Sequence, residues 1–225
     1  YLNMSQESFI CSKQQVKGKY NYTDTLMQKE VFGGSTIDEN GILLYPDGAP
    51  RFRMIYTNGG RAATHGFSVG SEGRKNINTY INNGGSYLGS CAGAYLASSA
   101  FIEHVGSPVQ YDDKYYGIWP GLATSTRLVV SSTTVTFDKK SPLLRYSDFG
   151  KDHKVDSVYH NGGGYAVMDS LCPEKTEILA RYYTKGRKLK KDFHGQPVIW
   201  AYKKSEQAGR VIMCGSHPEG VETGE

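Results

Sequence analysis

The sequence predicts an α/β fold, a mostly parallel sheet covered on both faces, and three observations carry that prediction. Between residues 52 and 101, apolar runs of strand length alternate with runs of helical spacing. Glycine, 27 of 225 residues or about 12% against a usual ~7%, gathers in small groups at the ends of those runs and shows no collagen-like period. A tight Gly89-x-Cys91-x-Gly93 turn stands where a strand would pass into a helix.

The elements follow in order. Residues 1–40 are polar and sparsely periodic, so residues 1–50 read as an irregular N-terminal extension within a single domain spanning 1–225. Ile42 to Tyr45 is a short apolar run closed by the turn signal Pro46-Asp47-Gly48. Phe52 to Thr57 is a strand halted at Asn58-Gly59-Gly60. From Gly70 to Asn83 the spacing becomes helical, with Ile77, Tyr80 and Ile81 on one face and Gly84 as the stop. Ser86 to Leu88 is the next strand, and Ala94 to Phe101 is small and apolar enough for a buried helix. Strand, helix, strand, turn, helix is the rhythm of a parallel sheet with covered faces. The second half reads as extra strands, Thr126–Phe137, Ser157–His160, Tyr165–Met168, Glu177–Tyr183, Val198–Lys203 and Arg210–Cys214. Lys185 to Lys191 holds five basic residues and reads as a solvated hairpin tip.

Composition excludes several classes. With 38% hydrophobic residues and no apolar run near the ~18 residues that a membrane span needs, no membrane partner is expected. A net charge of +4, from 26 basic and 22 acidic residues, is too small to point to nucleic acid. The 17 Tyr, 8 Phe and 2 Trp argue against disorder. Cys11, Cys91, Cys172 and Cys214 form no Cys-x-x-Cys pair, so no metal or other cofactor is expected. Asn3-Met4-Ser5 and Asn21-Tyr22-Thr23 are glycosylation sequons, and the chain begins without Met, which favours a secreted glycoprotein. In an oxidising compartment Cys11 would pair with Cys172 or Cys214.

The turn carries the chemistry. A strand-to-helix elbow forces its central residue into a strained conformation, so the positions two before and two after must lack bulk; here both are Gly. The central side chain is raised above the sheet edge at a helix N-terminus, which favours the thiolate and is expected to lower the Cys91 pKa. The Ala92 N–H is placed to bind an oxyanion. Near the other end, the buried strand Arg210–Cys214 runs into Gly215-Ser216-His217-Pro218-Glu219. His217 and Glu219, two apart, share a side of an extended segment that Pro218 stiffens, and so suit the base and orienting acid of a Cys-His-Glu triad. His65, His104, His153, His160 and His194 have no ligand spacing and read as surface or packed residues. Tyr115 to Pro120 reads as packing or as a pocket wall.

The motifs Gly84-Gly85-Ser86-Tyr87-Leu88-Gly89-Ser90-Cys91-Ala92-Gly93-Ala94-Tyr95 and Gly215-Ser216-His217-Pro218-Glu219 resemble the class I glutamine amidotransferase-like superfamily, within it the biotin-protein ligase N-terminal domain group. His160-Asn161-Gly162-Gly163-Gly164 and Asn58-Gly59-Gly60 resemble further loops of that group. The resemblance, over about residues 52–220, implies a flavodoxin-like three-layer sandwich with a mostly parallel central sheet and extra antiparallel strands in the second half. It also implies Cys91, His217 and Glu219 as catalytic residues, Gly60 and Ala92 as oxyanion donors, and Gly59, His160 and Gly162 around the pocket. Residues 1–50 and Arg61-Ala62-Ala63-Thr64-His65 depart from the group's pattern, and the sequence has no biotin or ATP signature. The expected activity is hydrolysis or transfer of a small amide or a peptide. Two other readings stand beside it: a silent binding module on the same fold, and a cysteine-based redox or stress protein.

Overall fold

The computed structural model describes residues 43–220 of the chain. Asn3, Cys11 and Asn21, with the sequons and the expected N-terminal arm, lie outside the described residues. The parallel half begins with β1 (Met54–Thr57), α1 (Ala62–Asn82), β2 (Ser86–Ser90) and α2 (Ala92–Ala97). After these come β3 (Ala100–Phe101), β4 (Leu122–Ser125), β5 (Ser131–Phe137), β6 (Lys154–His160), β7 (Gly164–Ala166), β8 (Glu177–Tyr183), β9 (Pro197–Tyr202) and β10 (Val211–Cys214).

One sheet has seven strands in the order β1-β2-β10-β9-β8-β5-β6, and a second has three in the order β3-β4-β7. Only β1, β2 and β10 of the large sheet run parallel; β9, β8, β5 and β6 pair antiparallel. The expected mostly parallel sheet is thus corrected to a mixed one, with the antiparallel strands in the second half as expected. The cause is the connections. Parallel neighbours need a long crossover, usually through a helix, and no α-helix lies between β5 and β10.

The helices also differ from their expected bounds. α1 starts at Ala62 rather than Gly70, because Gly70 (φ 70°, ψ −177°) breaks it into two segments and the periodicity exposed only the second. Its end is as expected: the Gly84 and Gly85 N–H groups donate to the Ile81 and Tyr80 carbonyls, and Gly84 has φ 104°. α2 stops at Ala97, not Phe101. Ser98 turns extended and its hydroxyl bonds the Tyr95 carbonyl at 2.5 Å, leaving Ala100–Phe101 free to form β3. Of the long strand expected over 126–137 only Ser131–Phe137 forms, as β5; Arg127 (φ 59°) and Val130 (φ 42°) interrupt the chain between it and β4, which ends before the expected start.

Aromatic residues dominate the main core. Trp119 and Trp200 meet edge to face at 5.4 Å, and Tyr80, Tyr87, Leu96 and Met213 pack with them. Trp119 therefore belongs to the packing reading of the 115–120 segment. Leu43 and Leu44 join this core, so the last part of the expected extension is integral to the fold; the turn at Pro46-Asp47-Gly48 forms as read, with Asp47 Oδ1 accepting from the Ala49 N–H. A second cluster, including Val135, Val158, Tyr182, Phe193 and Val198, lies under the antiparallel strands. The basic loop is not simply solvated: Lys191 Nζ reaches the Ser125 carbonyl at 2.8 Å and Arg187 reaches the Ser132 carbonyl at 2.6 Å. No helix among the described residues is long and apolar enough to cross a membrane.

Leu96, on α2, is fully enclosed by this core. Leu96→Ala is expected to lower unfolding free energy by about 2–5 kcal/mol, read from the urea midpoint, with an unchanged far-ultraviolet spectrum.

Candidate active site

Cys91 sits between β2 and α2 with φ 47° and ψ −102°, a conformation unusual for a residue with a side chain. Its N–H is anchored on the Cys214 carbonyl at 2.8 Å. The two flanking glycines are required by contact. A Cβ on Gly93 would lie 2.1 Å from the Thr57 carbonyl oxygen at the end of β1, and one on Gly89 would lie 2.5 Å from the Gly93 carbonyl carbon. The elbow read from the sequence therefore has a definite cause: the first turn of α2 lies against the backbone of β1 and β2.

The thiol is nearly covered, with Cys91 4% exposed. The backbone N–H groups of Gly60, implied by the resemblance, and of Ala92, read from the elbow, both lie where they favour its thiolate form. Even so, burial pushes the thiol pKa up; the two N–H bonds oppose that rise and the nearby Glu219 carboxylate adds to it. The expected lowering by the helix end is thus corrected. A turn of six helical residues cannot offset desolvation at this depth. The thiol donates to the Asn161 carbonyl at 3.7 Å, and among the described residues no hydrogen bond joins it to His217.

His217 and Glu219 are paired, Nδ1 to Oε1 at 2.9 Å. The imidazole lies against Gly59, where a Cβ would fall 2.1 Å from His217 Cε1. On another side Tyr159 packs at 5.4 Å between ring centroids and receives the His217 N–H on its carbonyl at 2.9 Å. Asn58-Gly59-Gly60 thus serves both residues: Gly60 contacts the sulfur, and Gly59 leaves room for the imidazole. Behind the pair, Ser90 Oγ donates to the same Glu219 oxygen at 3.2 Å and lies 2.8 Å from the Tyr56 hydroxyl.

His160 does not line a rim. It is 0% exposed, with Nε2 2.7 Å from Thr126 Oγ1 and Nδ1 3.0 Å from Ser216 Oγ. Burial, with the charges of His217 and Arg187, pushes its pKa down to about 4. Its role is to hold the residue before His217. Gly162, at φ 71°, has open space where a Cβ would stand, and its carbonyl accepts from the Tyr95 hydroxyl at 2.9 Å. Ser90, Tyr56, Tyr159 and Asn161 were not singled out from the sequence; only the β2 register, with Ser90 beside Cys91 and opposite in direction, hinted at the first.

Cys172 and Cys214 carry free thiols, so neither of the bridges expected for Cys11 is found at its described partner. Cys214 lies under the elbow, where burial pushes its thiol up to about 12. Among the described residues, no three His, Cys, Asp or Glu side chains converge as a metal site would require.

Fold and site define a class: α/β proteins with a cysteine on a strand–helix elbow and a histidine–carboxylate pair following the neighbouring parallel strand. The family model for "Biotin-protein ligase, N terminal" matches residues 31–223, and the chain belongs to that family. An uncharacterized protein of Chlamydia muridarum (strain MoPn / Nigg) is 28% identical over 171 residues, 74% of this chain; the match spans 60% of that relative's length. Among solved structures, a glutamine amidotransferase is similar at 17% identity and TM-score 0.49, over 75% of this chain and 71% of that one. A ThuA-like protein from Bacteroides uniformis ATCC 8492 is similar at 14% identity and TM-score 0.40, over 75% of this chain and 62% of that one.

Two outcomes follow from this geometry. Gly59→Ala is expected to displace the His217 ring and leave the aromatic core in place, seen by NMR as a shifted His217 resonance with the Trp119 and Trp200 signals retained. His160, native pKa about 4 against ~6.5 unfolded, takes up its proton more readily when unfolded. Its contribution is therefore complete above pH ~6.5 and is lost as the pH falls toward 4. The urea midpoint should drop over that interval, and drop less in His160→Asn than in the wild type.

Proposed function

We propose that this protein is a cysteine-nucleophile amide hydrolase or amidotransferase-like enzyme, with Cys91 as nucleophile, His217 as general base and acid, and Glu219 as the orienting carboxylate. The observation that carries the reading is the convergence of the Gly60 and Ala92 N–H groups on the Cys91 sulfur. Two donors aimed at a nucleophile are also close to the carbonyl oxygen of an acyl group attached to it. The finer fold in this reading is a flavodoxin-like sandwich whose parallel strands β1, β2 and β10 present the site at one edge.

The steps follow from the groups present. The resting thiol is neutral and turned to the Asn161 carbonyl, so substrate binding has to free it. As the sulfur attacks the amide carbon, its proton passes to His217 Nε2, while Nδ1 keeps its bond to Glu219. The oxyanion forms between Gly60 and Ala92. His217 then gives the proton to the departing amine. Water, deprotonated by the same imidazole, releases the acyl group and regenerates the thiol. The substrate class in this reading is a small amide or a peptide.

The test is hydrolysis of an amide and peptide panel by the wild type, Cys91→Ser and His217→Ala. Losses of about a thousandfold or more are expected for each variant, and little further loss for the double variant, because the residues act as a unit. Wild-type levels of cleavage in Cys91→Ser would exclude the mechanism, and a panel with no cleavage at all would favour the binding module. Alkylation of Cys91 by iodoacetamide should be slow at pH 7 and still rise above the ordinary thiol range.

A further inference from the structure

The histidine–carboxylate pair has a second set of contacts that none of the expected roles uses. Glu219 sits on a short 3-10 turn, Pro218–Gly220, and its side chain is 44% exposed. A carboxylate there has nothing on its own element to fix it, and water competes for its oxygens. Yet Oε1 meets two protein donors at once, His217 Nδ1 at 2.9 Å and Ser90 Oγ at 3.2 Å. Ser90 is 1% exposed, immediately precedes the elbow cysteine and lies 2.8 Å from the Tyr56 hydroxyl on β1. Burial raises the Tyr56 pKa, so the phenol keeps its proton. With Ser90 donating to the carboxylate, the phenol donates to Ser90.

We propose that Tyr56 and Ser90 are positioning residues that hold the Glu219 carboxylate in line with His217 Nδ1. The proposal deepens the reading of Cys91, His217 and Glu219 as a triad and rests on it. The chain runs from Tyr56 O–H to Ser90 Oγ, from Ser90 O–H to Glu219 Oε1, and from His217 Nδ1–H to that same oxygen. Its chemical effect is on the imidazole. A fixed carboxylate keeps the proton on Nδ1, leaves Nε2 as the acceptor for the thiol proton, and stabilises the imidazolium that forms. Its structural effect is to tie the acid to the elbow itself: Ser90 and Cys91 are neighbours in the chain, so the acid, through its histidine, is indexed to the strand end that carries the nucleophile. Tyr56 acts through Ser90 and also faces the carboxylate directly, which adds to the rise in the phenol's pKa.

The experiment reads the His217 pKa by NMR on the full chain carrying histidine labelled with carbon-13 at Cε1, the resonance being assigned by its loss in His217→Gln. Ser90→Ala should free the carboxylate into solvent and lower the His217 pKa by roughly 0.5–1 pH unit. Tyr56→Phe should lower it by less. The double variant should show at least the Ser90→Ala shift and at most the sum of the two single shifts, because the phenol also faces the carboxylate directly. An unchanged pKa in Ser90→Ala would overturn the proposal. So would a rise, which would mean that Ser90 only draws charge from a carboxylate already held in place, and so would a double variant that returns to the wild-type value. If Ser90→Ala does not fold, Tyr56→Phe alone decides by the presence or absence of its downward shift. The readout needs no substrate. A panel without hydrolysis would count against the proposed activity while the shift still tested the positioning, and hydrolysis with no shift would do the reverse.

Discussion

The backbone oxygen of Thr57 and the α-carbon of Gly93 are so close that no side chain fits between them. Most of the site depends on that contact. It presses the first turn of α2 onto the end of β1, and Cys91 makes the connection from β2 only by taking a positive φ. Thr57 is also the residue from which the chain turns into Asn58-Gly59-Gly60. One close approach therefore sets both the position of the sulfur and the loop whose N–H groups and vacant Cβ position surround it. Gly89 is needed for the same reason on the adjoining strand.

The opposite wall is built by a second interlock of bare backbone. A Cβ on Gly163 would fall 1.6 Å from the Gly215 carbonyl oxygen, and one on Gly215 would fall 1.8 Å from that of Gly164. Ser216, the next residue, is fixed by His160 and Thr133. His217 is thus delivered from a segment gripped on both sides, although the residue itself is near the surface. The price is desolvation. The packing that positions Cys91 also keeps its thiol neutral at rest, so positioning and acidity are opposed here, and burial wins over a short helix end and two N–H bonds.

The elbow was legible in the sequence because its physics is local: two glycines around a cysteine, between a strand and a helix, leave few other conformations. His217 and Glu219 were legible for a similar reason, with Pro218 between them at a strand end. The order of the sheet was not, because which second-half strands become neighbours, and the place of β10 between β2 and β9, depend on pairings between distant segments that no local pattern carries. Gly70 hid the first segment of α1 by interrupting its period, and Ser98 ended α2 through a side-chain bond that apolar spacing does not register. His160 is the packed histidine that its lack of ligand spacing suggested and not the pocket residue that the resemblance implied; its partners Thr126 and Ser216 are distant in sequence. Tyr56 carries no motif, and Ser90 stands at a position of the elbow whose side chain the motif leaves open. The acidity of Cys91 was misjudged by weighing the helix dipole without the depth of burial.

The place of β10 in the sheet has a consequence for how the molecule assembles. Although it is the last strand in chain order, it lies between β2 and β9, pairing Val211–Cys214 with Tyr87–Ser90 on one side and with Tyr202–Ile199 on the other. The parallel pair β1–β2 and the antiparallel group β9-β8-β5-β6 thus share no edge until residues 211–214 have been synthesised and inserted. The seam closes over a sequence separation of more than a hundred residues on the β2 side, the kind of long-range pairing that makes folding slow. A chain growing from its N-terminus carries the elbow early but lacks its imidazole until that seam shuts, so the same step that completes the sheet assembles the site.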